Sequence, residues 1–370
     1  MTCYLTELAF DEWGDTLLAP LNGGRYPLTG SIELTDRCNM GCKHCYINQA
    51  AGDSIIRKRE LSTSQIKDIF DQIAEAGCMQ LLMTGGEPLL RPDFSELYLY
   101  ARRIGLMIVL FTNATMITPE IIEVLKSSPP LMVEVSIYGV TKETYEKVTG
   151  LPGSFEKFLN GMTLLKESGL KAATKSVLLN INMHELAQMK EFAKEMGMPF
   201  RYDGSMWPRV NGASTPFDYQ LTVEDNIKLD NDDPERLKNW TNFYLKSKDK
   251  IFRNEKYAFN CGAGHRSFHI DSQGRLNVCM MVRRPRFSIP ELGFSNAWQR
   301  LDEVRLAERT KDSKCLSCSA SSMCVQCPGW SQLLYNDNET IVDSVCQLTL
   351  AREKNILSKL NLIEEMISNG

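Results

Sequence analysis

The chain has 370 residues, of which 24% are charged and 43% hydrophobic, and its formal net charge at pH 7 is −4. This composition is ordinary for a globular protein, and its acidic balance excludes the basic surface typical of a nucleic-acid-binding protein. The first fifteen residues carry four carboxylates and no basic cluster, and no apolar run is as long as a membrane span. We therefore predict a cytoplasmic protein, with no membrane partner, whose twelve cysteines are reduced.

An N-terminal extension, residues 1–30, precedes the first predicted strand, Ser31–Leu34, which leads into three closely spaced cysteines, Cys38, Cys42 and Cys45. Three thiolates on one short loop can hold three corners of a cubane iron–sulfur cluster, and they leave the fourth iron without a protein ligand. Such an iron can bind and activate a small molecule. The alternatives are a zinc site or core cysteines, but zinc prefers four ligands in two separated pairs, and no fourth thiol lies nearby.

A short apolar run, Met79–Thr84, is followed by the turn residues Gly85, Gly86, Glu87 and Pro88. This pattern predicts a buried strand that ends in a tight turn with a carboxylate at its tip. Glycine lets the backbone approach a ligand closely, and a glutamate can receive an ammonium group. The turn alone is an ordinary one, but its position after the three-cysteine loop favours a binding site that the two segments share.

Together the two motifs resemble those of the radical S-adenosylmethionine (SAM) enzymes, whose signature is CxxxCxxC followed by a Gly-Gly-Glu motif on the second strand. The resemblance implies a [4Fe–4S] cluster on the three cysteines, with its open iron holding the amino and carboxylate groups of SAM. It also implies that residues 85–87 secure the methionine ammonium and that Tyr46 and the backbone near His44 lie against adenine. Electron transfer from the cluster would split SAM into methionine and a 5′-deoxyadenosyl radical, which removes a hydrogen atom from a substrate carbon.

Strands and helices alternate through residues 31–215, and the further predicted strands are Met107–Thr112, Leu131–Ile137, Lys171–Leu179 and Phe200–Asp203. Six β/α units predict an α/β fold with a parallel sheet. The resemblance implies a partial (β/α)6 TIM-like barrel whose site lies at the carboxyl ends of the strands. It also implies that Asn113, Ser136 and Lys175 contact the ribose and carboxylate of SAM, although each is equally well read as an ordinary strand-end residue. Four residues around the sixth strand face either the substrate or solvent: Arg201, Asp203, Trp207 and Arg209.

A polar, acidic segment, residues 216–256, is predicted to bridge to a smaller cysteine-rich α+β domain, residues 257–349, with its charges facing solvent. Gly274 is predicted to turn a β-hairpin, and residues 350–370 are predicted to form an amphipathic helix that packs on the barrel. The smaller domain contains seven cysteines: Cys261, Cys279, Cys315, Cys318, Cys324, Cys327 and Cys346. Its two CxxC pairs are found in zinc ribbons, but seven thiols do not divide into two four-cysteine sites.

This cysteine pattern is similar to the SPASM extension of radical SAM enzymes, which holds two auxiliary iron–sulfur clusters, except that Cys324 and Cys327 are one residue closer together. Carried over by position, the outer cluster takes Cys315, Cys318, Cys324 and Cys346, and the inner cluster takes Cys261, Cys279 and Cys327. The inner cluster is then one thiolate short. We therefore expect an open iron or a non-cysteine ligand, such as His265, His269, water or a substrate thiolate. Cys3 and Cys78 are predicted to be core or surface residues.

Enzymes with this extension mostly modify peptides or protein side chains. The resemblance therefore implies an enzyme that matures a ribosomally synthesised peptide by a thioether or carbon–carbon cross-link or a related oxidation. The alternatives are a sulfatase-maturase-like enzyme, a radical dehydrogenase of a small molecule such as a sugar alcohol, and a non-enzymatic iron–sulfur electron carrier or zinc-structured module. The implied partners are a peptide or protein substrate and an electron donor such as flavodoxin or ferredoxin. Since about thirty residues precede the first strand, leader recognition would need a separate protein or another site on the chain.

Overall fold

The computed structural model describes residues 24–47, 49–248, 256–259 and 261–368. Most of the predicted N-terminal extension lies outside the described residues, as do Cys3 and residues 249–255 of the predicted bridge. Within the described ranges, no helix has both the length and the apolar character needed to cross a membrane.

The described strands are β1 (Thr29–Glu33), β2 (Arg37–Cys38), β3 (Gln49–Ala50), β4 (Gln80–Thr84), β5 (Met107–Thr112), β6 (Met132–Ser136), β7 (Ala172–Val177), β8 (Phe200–Asp203), β9 (Ser267–Ile270), β10 (Arg275–Asn277) and β11 (Phe287–Ser288). β1 and β4 to β8 are parallel neighbours in chain order, as the six predicted β/α units require. β2 and β3 form a separate two-stranded sheet that begins the cysteine loop. The α/β fold and the partial barrel are therefore confirmed.

The described α-helices are α1 (Ser54–Arg59), α2 (Thr63–Glu75), α3 (Phe94–Arg103), α4 (Pro119–Ser127), α5 (Lys142–Thr149), α6 (Ser154–Ser168), α7 (Leu186–Glu195), α8 (Val223–Asp232), α9 (Pro234–Ser247), α10 (Ile289–Leu292), α11 (Phe294–Arg300), α12 (Asp302–Arg305), α13 (Pro328–Tyr335) and α14 (Asp343–Ser368). α2 begins with a capping box, in which Ser62 and Gln65 each accept a hydrogen bond from the other's backbone N–H. α5 is absent from the predicted elements because it has only eight residues, of which only Tyr145 and Val148 are large apolar ones.

The barrel sheet continues into the cysteine-rich region. β9 pairs in parallel with β1, and β10 and β11 follow it as antiparallel strands. The predicted hairpin is confirmed: Gly274 has a φ of +72° and its N–H donates to Asp271 O. The two regions thus share one nine-stranded sheet. Sequence pattern does not reveal this, because β1 and β9 are far apart in the chain.

Alternation along the strands separates the two faces of the barrel sheet. One face packs under the helices and is fully buried, with members Leu81, Met83, Ile108, Leu110, Val133 and Val135. The other face lines the interior of the barrel and carries the half-buried polar residues Glu134, Ser136 and Lys175. These polar residues therefore lie where a ligand inside the barrel would meet them.

The bridging segment forms α8 and α9, and here two predictions are wrong. Asp230 is buried instead of facing solvent, because its carboxylate pairs with Arg236 and with Arg352, each at 2.6 Å. The C-terminal helix α14, which carries Arg352, packs mainly on α8, with further contacts to α9 and residues 319–323, and not mainly on the barrel as predicted. A buried carboxylate held by two guanidinium groups fixes α14 to the bridge.

Candidate active site

A cavity of about 250 Å³ opens at the carboxyl ends of the barrel strands. Its walls bring together three thiols and six other residues that the sequence analysis singles out: Cys38, Cys42, Cys45, Tyr46, Gly85, Gly86, Asn113, Ser136 and Lys175. These residues come from five separate segments of the chain. The fold therefore assembles the two sequence motifs into one concave site.

The cysteine loop is held by α5, the helix that the sequence does not predict. Gly41 N–H donates to Thr149 O at 2.8 Å, and Lys43 N–H donates to Val148 O at 3.0 Å. Both acceptors lie in the last turn of α5, where helix carbonyls have no partner within the helix. The loop and the helix end therefore satisfy each other's backbone groups, and this contact fixes the position of the thiols.

Of the three thiols, Cys42 is buried, and Cys38 and Cys45 are half-buried beside it. Burial raises the pKa of Cys38 to about 12, and burial followed by the neighbouring Cys45 and Cys38 raises the pKa of Cys42 well above its usual value. No three His, Cys, Asp or Glu side chains in the described ranges come close enough together to hold a single metal ion. A cubane takes one thiolate on each iron and so needs its sulfurs further apart than a mononuclear zinc site does. The donor set suits a three-thiolate cluster.

The two glycines of the turn after β4 pack against the chain's own backbone. Gly86 N–H donates to Thr35 O at 2.7 Å, and Glu87 N–H donates to Arg37 O at 3.0 Å. A Cβ atom on Gly86 would lie 2.2 Å from Arg37 O, and one on Gly85, whose φ is +139°, would lie 2.2 Å from Thr35 O. The close approach expected of these glycines is thus made to residues 35–37, the segment that leads into the cysteines.

We predict that Gly86→Ala destabilises this junction by about 1–3 kcal/mol, since the added methyl group must displace backbone. Urea unfolding should show a lower midpoint, and the iron content after anaerobic reconstitution should fall. Gly52→Ala is the matched control, because no atom lies within 4 Å of a Cβ at Gly52. Equal stability and iron content in the two variants would contradict the packing role of Gly86.

Glu87 lies behind the cavity wall. Its carboxylate is fully buried and accepts hydrogen bonds from Thr112 Oγ1 at 2.8 Å, Asn113 N at 2.8 Å and Leu89 N at 3.2 Å. Burial raises the pKa of Glu87 to about 7. The carboxylate therefore supports the end of β5 and does not line the cavity, which differs from the contact with an ammonium group that the resemblance implied.

Asn113 connects the end of β5 to the cysteine loop. Its Nδ2 donates to Asn39 Oδ1 at 2.9 Å and lies 3.8 Å from Cys38 Sγ, and its Oδ1 accepts from Thr115 N at 2.9 Å. With Glu87 holding its backbone N–H, the side chain has a fixed orientation. Asn113 thus helps to position the first thiol as well as lining the cavity.

A charged group lies deeper in the barrel. Lys175 Nζ is 3.5 Å from the Glu134 carboxylate, which also accepts from Arg201 at 2.5 Å. Burial lowers the pKa of Lys175 well below its usual value, although Glu134 opposes that shift. The Arg201 side chain is 65% exposed, so of its two interpretations the structure favours the one that faces solvent.

One polar atom in the cavity wall has no partner. His44 Nδ1 is buried and makes no hydrogen bond to any described residue. Its ring lies against Tyr138, with 4.7 Å between ring centroids, and burial lowers the pKa of His44 to about 4. An unsatisfied buried nitrogen beside three thiols suits a site that takes a polar ligand.

The seven distal thiols separate into a group of four and a group of three. Cys346 interacts electrostatically with Cys324, Cys315 and Cys318, and these four line a second cavity of about 340 Å³. Burial raises the pKa of Cys279 to about 11, and its thiol interacts with Cys327 and Cys261. The two groups have the same membership as the outer and inner clusters carried over from the resemblance. Cys78, by contrast, is a buried core residue.

The two histidines considered for the three-thiol group differ in their surroundings. His269 is fully buried on β9, with Nδ1 2.8 Å from Ser31 Oγ and Nε2 3.3 Å from the Glu33 carboxylate. Both ring nitrogens face β1, so His269 is excluded as the expected ligand. His265 is half-buried outside the strand, and burial followed by nearby Arg305 lowers its pKa.

Two tryptophans that the sequence does not connect join the cavity to the three-thiol group. Trp207 lines the cavity, and its ring stacks on Trp330 with 4.2 Å between centroids. Trp330 Nε1 donates to Met206 O at 3.1 Å, and its ring packs in the same apolar cluster as the Cys327 side chain. Trp330 lies in α13, three residues after Cys327. This closeness in sequence is the one signal that could have indicated a role for Trp330 beside the three-thiol group.

Comparisons with known proteins agree with this arrangement. Residues 32–194 match the family model described as the Radical SAM superfamily. The AdoMet-dependent heme synthase of Methanosarcina barkeri is 27% identical, over 80% of this chain and 89% of that protein. The mycofactocin maturase MftC of Mycolicibacterium smegmatis is 28% identical, over 80% of this chain and 77% of that protein. Both alignments cover most of each protein.

A solved structure has a similar fold. Native anSMEcpe with bound AdoMet and the Cp18Cys peptide superposes with a TM-score of 0.67, over 92% of this chain and 99% of that one. The sequence identity is 16%, so the likeness concerns the fold alone. It extends well beyond the residues that match the family model and includes the cysteine-rich region.

Proposed function

Because residues 32–194 form a radical SAM domain, the chain is a radical SAM enzyme, and we propose that it cleaves SAM reductively and removes a hydrogen atom from a peptide or protein substrate. The reaction proposed first is maturation of a ribosomally synthesised peptide by a thioether or carbon–carbon cross-link or a related oxidation. The observation that carries this proposal is the cavity that three neighbouring thiols line together with the strand-end residues of the barrel.

In this proposal Cys38, Cys42 and Cys45 hold a [4Fe–4S] cluster, and the walls that face them hold SAM. The residues proposed to contact SAM are Tyr46, Gly85, Gly86, Asn113, Ser136 and Lys175, with Glu87 supporting them from behind the wall. When bound, the cluster and SAM supply a 5′-deoxyadenosyl radical that removes the hydrogen atom.

The protein's own contribution is orientation and exclusion of water. Glu87 and Asn113 fix the end of β5 against the cysteine loop. On the opposite side, Met206, Trp207 and Met280 form an apolar wall. A wall of this kind keeps water away from a reactive intermediate.

We also propose that the distal thiols hold two auxiliary iron–sulfur clusters, the four-thiol group one and the three-thiol group the other. Oxidation of a substrate radical releases a second electron, and the three-thiol group is joined to the cavity through Trp207 and Trp330. An electron donor such as flavodoxin or ferredoxin supplies the first electron. The proposed domains are residues 31–215, 216–256 and 257–349, with the terminal helix beyond them.

We predict that Cys346→Ala lowers the iron content of the reconstituted protein by about four atoms per chain, since the four-thiol group loses a ligand. Cys78→Ala is the control, because Cys78 is buried apart from all three thiol groups and should leave iron unchanged. Colorimetric iron analysis measures both. An unchanged iron content in Cys346→Ala would end the assignment of an outer cluster.

Two relatives and one solved structure support different substrate classes. MftC is a maturase, and anSMEcpe was solved with a peptide, which favours a peptide substrate. The heme synthase aligns over 89% of its length, so a tetrapyrrole substrate is the second candidate.

The deciding experiment is anaerobic turnover. Reconstituted protein is incubated with dithionite and SAM, and 5′-deoxyadenosine is measured by mass spectrometry, alone and with a peptide encoded beside this gene or with a carboxylated porphyrin. Deoxyadenosine together with a mass change in the peptide is expected. Formation of no deoxyadenosine under any condition would refute the proposed function, and a mass change in the porphyrin alone would replace the peptide with the second candidate.

A further inference from the structure

A groove of about 540 Å³ lies outside the candidate active site. One wall is β8, and the second is α9 with Trp240 and Phe243. The third wall is residues 322–325, which include the proposed cluster ligand Cys324. Apart from Arg201 and Cys324, the residues described for the candidate active site do not line this groove.

β8 presents a free edge to the groove. It is the last strand of the sheet and pairs only with β7 among the described strands. Pro199 O accepts from Thr174 N and Asp203 O accepts from Leu178 N, each at 2.8 Å, so the odd-numbered residues of β8 bond to β7. In a parallel strand the alternate residues point the other way, so the N–H and C=O groups of Phe200 and Tyr202 face outward. Three consecutive residues, 200–202, line the groove, as expected when a strand edge forms its wall.

The other two walls carry exposed apolar side chains and one unsatisfied polar atom, beside the polar residues of α9. Phe243 is 44% exposed and Val325 is 45% exposed, and both line the groove. Ser322 is 5% exposed, and its hydroxyl has no hydrogen-bond partner among the described residues. Single exposed hydrophobic residues are common, but two on opposite walls of one groove mark an interaction site.

Of the four charged residues that line the groove, three are paired within the protein, and the fourth, Glu235, is exposed. Arg201 pairs with Glu134, Arg236 pairs with Asp230, and Asp233 pairs with Lys190 at 2.7 Å. The walls therefore offer no strong field to an ionic ligand. They match a ligand that is uncharged, has apolar side chains and carries backbone donors and acceptors of its own.

We propose that this groove binds an extended apolar segment of the substrate peptide, which adds as a strand to the free edge of β8. The inference rests on the proposed function, because it assumes that the substrate is a peptide. Backbone hydrogen bonds to Phe200 and Tyr202 supply the edge pairing, and alternate side chains contact Phe243 and Val325. The occupant is thus a segment of the substrate that anchors it and is not itself modified.

The position of the groove gives this anchoring a direction. β8 ends at Asp203, and the residues that follow, Ser205, Met206 and Trp207, line the active-site cavity. A strand bound along β8 therefore points one of its ends toward that cavity. The segment beyond the bound strand would enter the barrel, where the proposed radical forms.

The test uses the whole reconstituted protein and a random dodecapeptide library displayed on phage. Peptides that are enriched on the wild-type protein are synthesised, and their affinities are measured by fluorescence anisotropy. The test variant is Phe243→Asp. The matched control is Leu245→Asp, because Leu245 lies on the same helix and is 45% exposed but does not line the groove.

We expect roughly tenfold or weaker binding to Phe243→Asp and unchanged binding to Leu245→Asp. N-methylation of alternate peptide backbone nitrogens should weaken binding similarly, because it removes the donors that pair with β8. Failure to enrich any peptide, or equal affinity for both variants, would overturn the proposal. A dimer that Phe243→Asp disrupts, with no peptide enriched, would assign the groove to a second copy of the chain. Peptide binding and deoxyadenosine formation are measured separately, so failure here is distinguishable from failure of the proposed function.

Discussion

Replacing Cys42 with alanine is expected to reduce SAM cleavage to the level of a protein-free control. Cys42 is 7% exposed at the centre of the three-thiol loop, and its loss leaves two thiolates for the proposed cluster, too few to hold three of its irons. The iron content should fall by about four atoms per chain, while iron at the distal thiols remains. The measurements are 5′-deoxyadenosine formed under dithionite and the electron paramagnetic resonance spectrum with and without SAM.

Cys78→Ala again serves as the control, since it removes a buried thiol that belongs to none of the thiol groups. Its iron content should match that of the wild type. If Cys42→Ala keeps measurable cleavage, or if the wild-type spectrum does not change when SAM is added, the cluster is not held by this loop.

The second large effect is a loss of stability, and it is expected when the ion pair between β1 and the segment after β10 is broken. Arg283 donates to both oxygens of Glu33, at 2.6 and 3.2 Å, and both residues are buried. Arg283→Met leaves the Glu33 carboxylate in the core beside His269 alone. Breaking a buried pair in this way costs about 3–5 kcal/mol, which urea unfolding at pH 7 would show as a lower free energy of unfolding.

Two controls separate this loss from general damage. Arg300→Met removes an arginine that pairs with Glu303 on the surface, and it should cost less than about 1 kcal/mol. Glu33→Leu combined with Arg283→Met should regain much of the lost stability, because no charge is then left buried. If the double variant is as unstable as Arg283→Met, the cost comes from packing and not from the unpaired carboxylate.

The ion pair between Glu33 and Arg283 also predicts that the free energy of unfolding depends on pH. Burial alone would raise the pKa of Glu33, but Arg283, followed by His269, outweighs burial and lowers the pKa from 4.5 to about 2. A lowered folded-state pKa stabilises the protein above the unfolded value, and this contribution is lost as the pH falls toward the folded value. The wild-type free energy of unfolding should therefore fall between about pH 4.5 and pH 2. A difference between wild type and Arg283→Met that stays constant over this range would contradict the assignment.

Local sequence patterns predicted much of the barrel. The strands β4, β5 and β6 appear as short, mostly apolar runs, because one face of each is covered by helices. Ser62 and Thr118 mark helix starts because their side chains cap backbone N–H groups. The division of the distal thiols into four and three was implied by the resemblance to the SPASM extension and not by cysteine spacing alone.

What the sequence did not reveal depends on contacts between distant segments. The helix α5 is short and mostly polar, yet it holds the cysteine loop. Glu87 follows two glycines that suggest a ligand. Its carboxylate instead accepts a hydrogen bond from the backbone N–H of Asn113, 26 residues later. Trp330 meets Trp207 only because α13 packs beside the barrel. None of these contacts leaves a local pattern.

The shared sheet limits how the enzyme can move. A hinge motion between the barrel and the cysteine-rich region would have to break the pairing of β1 with β9. It would also have to separate the Glu33 side chain from Arg283. Both contacts involve β1, which comes shortly before Cys38 in the chain. Since β1 leads to Cys38 and is joined through β9 to β10, which leads to Cys279, the first thiol site and the three-thiol group share one structural frame.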